Sequence, residues 1–249
     1  MRYCSLTLVV SLLVPGKLLA EEILVAVASN FTVPMNALVE EFEAQTGHEV
    51  QVAFGSSGRF YAQIINGAPY QVFLSADQEK PDQLEASGLT LTGSRITYAT
   101  GALVLWSATG GPLITGSEAL DSDFRLLSLA NPELAPYGQA AAQVLEALGK
   151  IEQTRSRWVQ GENIAQAYQF VETRNADLGF VALSQVIGEG GKLKSGSGWR
   201  VPAEMHEPIR QDAVLLQRAA DCAACSQFME FLVSPHAREL LRGFGYQAD

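Results

Sequence analysis

The stretch ILVAVASNFTVPMNALVEEFEAQTG, residues 23–47, decides the fold. Residues 23–28 form an unbroken apolar run, the pattern of a strand covered on both faces, as the strands of parallel sheets are. Ser29, Asn30, Phe31 and Thr32 follow as a capping loop with hydroxyl and amide groups. Residues 34–47 then read as a helix, with Pro34 near its first turn and Gly47 at its stop. Met35, Leu38, Val39 and Phe42 recur at helical spacing and give that helix one apolar stripe. The same succession comes next in VQVAFGSSGRFYAQIIN, residues 50–66: a strand, the polar turn Gly55-Ser56-Ser57-Gly58, and a helix from residue 59. Strands and helices in alternation point to an α/β fold whose parallel sheets are flanked by helices.

Outward from these units the alternation continues. Strands are expected at 71–75, 95–100, 103–107, 126–129, 158–160, 178–181 and 210–216. Helices are expected at 80–87, 137–149, 164–174, 183–187, 222–233 and 235–242, and the Gly-rich residues 188–198 read as an exposed loop. No fixed-period repeat and no low-complexity linker interrupts the chain, so any boundary lies inside the folded part. The division expected is residues 21–101 with 206–249 as one lobe and 102–205 as the second. The connecting runs fall near 100 and 205.

The first twenty residues read as an export signal. Arg2 supplies the positive start, LTLVVSLLV at residues 6–14 the short apolar run, and Leu18-Leu19-Ala20 the small-residue end, with Ala20 the last residue removed. Nine residues fall well short of the roughly 20 needed to span a bilayer, so a membrane anchor is excluded and the mature chain is not inserted. The expected compartment is the periplasm. The whole chain of 249 residues carries 17 Lys and Arg against 27 Asp and Glu, a net charge of −10; removing Arg2 and Lys17 with the signal makes it −12. Such a balance repels polyphosphate, which excludes nucleic acid as a partner.

The three Cys cannot form a disulfide framework, nor do they have the paired spacing of a structural zinc site. Cys222 and Cys225, spaced C-A-A-C, follow a turn-like Arg218-Ala219-Ala220-Asp221 rather than a strand, which favours a small local disulfide over a redox centre; a free pair is the other alternative. His48, His206 and His236 lie far apart without metal-ligand spacing. Arg59, Glu162 and Asp77 read as salt-bridging or capping groups.

Four loops carry the chemistry: Ala28-Ser29-Asn30-Phe31, Gly55-Ser56-Ser57-Gly58, Ala135-Pro136-Tyr137-Gly138 and Gly161-Glu162-Asn163-Ile164. Each follows a strand or opens a helix. Free backbone N–H groups at helix N-termini, supplemented by hydroxyls, suit an anion without any charged side chain. Taken singly, each loop is an ordinary helix cap; the set of four is what points to a site.

The runs ILVAVASNFTVPMNALVEEFE (23–43), VAFGSSGRFYAQIINGAPYQVFLSAD (52–77), ANPELAPYGQAAAQVLEALG (130–149) and ADLGFVALSQV (176–186) resemble the periplasmic molybdate/tungstate-binding proteins that serve ABC transporters. The likeness extends over essentially the whole mature chain. It implies the type II periplasmic binding fold: two α/β lobes, each a mostly parallel sheet flanked by helices, with two crossing hinge strands and an oxyanion in the cleft. It implies molybdate or tungstate as ligand and no cofactor, with the ion's metal held through its oxygens and no protein atom bound to it directly. A permease with its ATPase is the implied partner, and the implied state is a monomer. Carried over position by position, the ligand-binding residues are Ser29, Ser57, Tyr137 and Ile164, with Asn30 as an added donor. In one branch of the family a Tyr hydroxyl reaches the ligand from the position of Ala182, so one donor is missing or replaced here.

The chemistry of the ions agrees with donor-only loops. Molybdate, tungstate and sulfate carry no proton near neutral pH, whereas phosphate keeps one and calls for an acceptor. Charge-assisted hydrogen bonds contribute roughly 1.5–3 kcal/mol each, so five or six give on the order of 10 kcal/mol before ordering costs. After closure is subtracted, about −8 to −12 kcal/mol remains, micromolar to nanomolar binding. Two alternatives stand beside this one: another tetrahedral oxyanion such as sulfate, or a serine hydrolase using Ser57. The second lacks Gly at position 59, where a nucleophile elbow needs it, and lacks a placed base, so the chain is not expected to be an enzyme.

Overall fold

The computed structural model describes residues 20–248; the expected signal lies outside them apart from Ala20. The elements run β1 (Glu22–Ala28), α1 (Thr32–Thr46), β2 (Glu49–Gly55), α2 (Ser57–Ile65), β3 (Val72–Leu74), α3 (Glu79–Ala86) and β4 (Ile96–Gly101). They continue with β5 (Leu103–Ser107), β6 (Leu127–Ala130), α4 (Pro136–Ala147), α5 (Ile151–Thr154), β7 (Trp158–Gly161), α6 (Ile164–Glu172), β8 (Leu178–Ala182), α7 (Leu183–Val186) and β9 (Ser197–Arg200). The chain closes with β10 (Ile209–Leu215), α8 (Ala223–Leu232) and α9 (Pro235–Gly243).

Two five-stranded sheets result, ordered β2-β1-β3-β10-β4 and β7-β6-β8-β5-β9. In the first, β1 pairs parallel with β2 and β3 while β10 runs antiparallel to β3 and β4. In the second, β6 pairs parallel with β7 and β8 while β5 runs antiparallel to β8 and β9. The reversed strand takes the same place in both sheets, so the lobes share one plan. The chain passes from β4 to β5 through Ala102 alone and returns from β9 to β10 through residues 201–208. This is the mostly parallel two-lobe α/β architecture that the sequence pattern implied.

The continuous apolar runs are buried as expected. Val25, Ala26 and Val27 of β1 are inaccessible to solvent, as are Met35 and Leu38 on the α1 stripe. Gly47 ends α1 in the left-handed conformation, φ 74°, where glycine has no Cβ penalty. One core gathers Ile23, Val25, Phe31, Leu38 and Phe228 around the first sheet, and another gathers Leu105, Leu127, Val144 and Phe180 around the second.

Three expectations need correction. Helices α1, α2 and α4 begin at Thr32, Ser57 and Pro136, one or two residues before the positions read from periodicity, because the first turn of a helix is set by its caps rather than by its apolar stripe. The Gly-rich loop gives way at residue 197 to β9, which pairs with β5. Gly196 makes that approach possible: its φ is +70°, and a Cβ there would lie 2.0 Å from the Ser107 carbonyl oxygen. The four residues of α5 were too few to show a period.

Cys222 and Cys225 are joined by a disulfide at the start of α8, with Cys222 as its N-cap. Asp77 caps α3 by accepting the Lys80 N–H at 2.9 Å. Among the described residues no helix is long and apolar enough to cross a membrane.

Candidate functional site

Between the lobes lies a small cavity lined from one side by Ser29, Asn30, Ser56 and Ser57 and from the other by Tyr137, Asn163 and Ile164. All five residues singled out in the sequence, Ser29, Asn30, Ser57, Tyr137 and Ile164, meet there, each at most 4 % exposed. The cavity is small, about 10 Å³, room for about one water. A groove of about 890 Å³ along the crossing segments is far larger, but none of the four loops lines it.

The helix starts explain the cavity's chemistry. Ser57 opens α2, Tyr137 sits in the first turn of α4 behind Pro136, and Ile164 opens α6. First-turn N–H groups have no partner within their own helix, and the helix dipole adds positive potential at the same end. The tight turn at Ser29–Phe31 feeds α1 in the same way. The caps take up neighbouring donors: the Asn163 carboxamide accepts the N–H groups of Ala165 and Gln166, and the Ser56 hydroxyl that of Arg59. The N–H groups of Ser57, Tyr137 and Ile164 are not among those so engaged.

Both serine hydroxyls are oriented by accepting a backbone N–H. Ser57 Oγ accepts from Ala76 at 2.9 Å, and Ser29 Oγ accepts from Ala165, across the cleft, at 3.3 Å. Each O–H proton is thereby left to donate. No histidine lines the cavity, so nothing there would activate Ser57 as a nucleophile.

Among the described residues no charged side chain lines the cavity either. Outside it, Arg59 Nη1 reaches both Glu162 carboxylate oxygens, at 2.7 and 2.9 Å, and neutralises the acid that would otherwise repel an anion. The lobes also meet where the Gly58 N–H donates to the Leu134 carbonyl at 2.9 Å. A Cβ on Gly58 would lie only 3.0 Å from that oxygen, which accounts for glycine at this position.

The sequence reading missed the polar groups behind Asn30. Tyr98 of β4, Gln211 of β10, Ser184 of α7 and Tyr246 beyond α9 are all buried and hydrogen-bonded to Asn30 or to one another. A signal existed: Gln211 and Asp212 interrupt the apolar run of β10, and the register shifts between them. Burial pushes the hydroxyls of Tyr98 and Tyr137 well above the ordinary tyrosine range, so both stay protonated. Ala182, where a Tyr was sought, ends β8 outside the cavity. Its N–H is held by Gln185 Oε1, and Gln185 Nε2 also donates to the Ile164 carbonyl at 3.1 Å.

Residues 23–247 match the family model described as bacterial extracellular solute-binding protein. The chain belongs to that family. This solute-binding protein is 53 % identical over 228 residues to the molybdate-binding protein ModA of Azotobacter vinelandii, covering 91 % of this chain and 90 % of that one. It is 45 % identical over 242 residues to ModA of Rhodobacter capsulatus, covering 97 % and 94 %. Its structure matches the periplasmic molybdate-binding protein of Azotobacter vinelandii with a TM-score of 0.88 at 42 % identity, over 91 % of this chain and 99 % of that one. The sulfate-binding protein SubI of Mycobacterium tuberculosis, at 12 % identity and a TM-score of 0.72, shares the fold. These relatives bear out the family resemblance read from the sequence, and they are binding proteins; this chain likewise is a binder and not an enzyme.

Proposed function

We propose that this solute-binding protein captures molybdate, and tungstate with it, between its lobes and delivers it to an ABC permease and its ATPase. The observation that carries this reading is a small buried cavity between the lobes lined by hydroxyls and helix N-termini, with no charged side chain among the described residues. A fully deprotonated tetrahedral dianion can accept from every one of those donors, whereas a protonated phosphate would need an acceptor. The relatives named for molybdate support the same ligand.

The donors in this reading are the hydroxyls of Ser29 and Ser57 and the backbone N–H groups of Asn30, Ser57, Tyr137 and Ile164. No cofactor takes part, and the metal of the ion is bound only through its oxygens. The protein acts as a periplasmic monomer after residues 1–20 are removed. Residues 21–101 with 206–249 form one rigid lobe and 102–205 the other. The ligand shifts the lobes toward closure because only the closed form offers donors from both. A cradle of backbone amides holds oxygens at fixed separations, so the smaller sulfate fits worse, while molybdate and tungstate are nearly equivalent.

Competitive calorimetry tests this. Molybdate and tungstate are expected to bind with similar affinity, sulfate more weakly and phosphate not measurably. Sulfate binding as tightly as molybdate would overturn the assignment.

A further inference from the structure

Asn30 stands out among the cavity residues because its polar groups are tied to both lobes. Its Nδ2 donates to Gln211 Oε1 at 2.8 Å and to the Tyr246 hydroxyl at 2.9 Å, both within the first lobe. Its carbonyl accepts from Tyr246 at 3.0 Å and from Ser184 Oγ at 2.8 Å. Ser184 lies on α7, which follows β8 of the second sheet, while Tyr246 belongs to the core of the first. The Tyr246 and Ser184 hydroxyl oxygens are 3.1 Å apart, so the three residues form one buried unit.

The backbone around Tyr246 is shaped for this contact. Gly245 has φ +81°, and a Cβ there would lie 2.7 Å from Leu183 and 3.1 Å from Ile187, so glycine lets the C-terminal segment lie directly against α7. Burial pushes the Tyr246 hydroxyl up to about 12, which keeps it a donor throughout the physiological range.

We propose that Ser184 and Tyr246 form a closure latch on Asn30: positioning residues that touch no ligand but hold the lobes shut around it. The latch rests on the reading of the cavity as the oxyanion site. Tyr246 and Gln211 hold Asn30 in place whatever the lobes do, and with its carbonyl and its Nδ2 tied, the Asn30 N–H keeps one direction, although its Oδ1 is buried without a partner among the described residues. Ser184 completes the unit only when the second lobe arrives. A contact made in the closed form alone stabilises that form alone, and its removal accelerates opening. Encounter of the ion with the open form is untouched.

Stopped-flow kinetics with molybdate on the full mature chain, together with melting of the ligand-free protein, provides the test. Ser184→Ala is expected to raise the dissociation rate about tenfold, the value of one hydrogen bond, with the association rate unchanged. Ligand-free melting should not move, because the open form lacks the bond. Tyr246→Phe is expected to act in the same direction, and the double variant should lose less than the product of the two single effects. Unchanged dissociation in Ser184→Ala, or an equal fall in ligand-free melting, would overturn the latch. A wild-type protein that fails to bind molybdate would instead overturn the proposed function and the latch with it.

Discussion

The two lobes face one cavity with different chemistry. The first adds side chains to its main-chain donors, the hydroxyls of Ser29 and Ser57, each oriented by a backbone N–H that it accepts. The second presents Tyr137 and Ile164 at the starts of α4 and α6, where a backbone N–H is what faces the ligand in the proposed reading. A lobe that binds through side chains is sensitive to which residue stands there. A lobe that binds through its main chain is sensitive to whether the helix start stays in place, and its side chains are free for other work. The Tyr137 hydroxyl lies against Gly101 and Gln211 at the first crossing, where a Cβ on Gly101 would meet it at 2.0 Å.

Backbone placement in the second lobe should therefore give the largest effect. In Gly138→Ala the new Cβ would lie 2.2 Å from the Ala130 carbonyl oxygen, a backbone atom that cannot swing away. The start of α4 must shift, with an expected loss of about 3 kcal/mol of stability and of tight binding, read by urea unfolding and calorimetry. Gly58→Ala in the first lobe should differ in kind: its Cβ would meet Leu134 only when the lobes close, so ligand affinity falls while ligand-free stability holds.

Removing one donor from each lobe sharpens the contrast. Ile164→Pro deletes a single N–H at the first position of α6, a place where proline fits. Asn163 before it is already extended (φ −143°, ψ 174°), as a residue preceding proline must be. The expected loss is about 1.5–3 kcal/mol of binding, whereas Ile164→Val should be nearly silent. In the first lobe Ser57→Ala should cost about 1–3 kcal/mol, since it removes the hydroxyl and also unpairs the Ala76 N–H. Calorimetry on the three variants would break the comparison if Ile164→Val proved as damaging as Ile164→Pro.

Smaller effects follow. Arg59→Ala should weaken binding slightly, and less as salt is raised, because the pair with Glu162 is exposed and joins the lobes only at the rim. Molybdate affinity should stay flat between about pH 6 and 9, since no donor in the cradle titrates there. The Tyr246 hydroxyl lies above its ordinary value when folded, so its contribution is complete below about pH 10 and is lost only as the pH approaches about 12. A titration step within the flat range would place a carboxylate or histidine at the site.

What the sequence made legible follows from the same contrast. The β1 and β2 runs, the α1 stripe and the two serine loops announce themselves through side-chain pattern, while Ser29, Asn30 and Ser57 are singled out within those loops by the family resemblance. In the proposed reading Tyr137 and Ile164 act through main-chain groups that every residue carries, so they too come from the family resemblance alone. The Arg59–Glu162 pair was suspected residue by residue, but the partnership spans 103 positions. Ser184 and Tyr246 were missed because a buried polar cluster assembled from distant segments leaves no local signature there; only Gln211, with Asp212 at the irregularity of β10, left one. Strand β9 was missed because Ser197-Gly198-Trp199-Arg200 shows neither alternation nor an apolar run.

Diffraction from a crystal of the mature protein soaked in molybdate, collected at the molybdenum absorption edge, tests most directly whether neutral donors hold the ion. One anomalous peak is predicted between Ser29, Ser57, Tyr137 and Ile164, with every oxygen facing a hydroxyl or backbone N–H. A peak beside Arg200 and Arg210 in the large groove, or one gripped by a lysine, would contradict it.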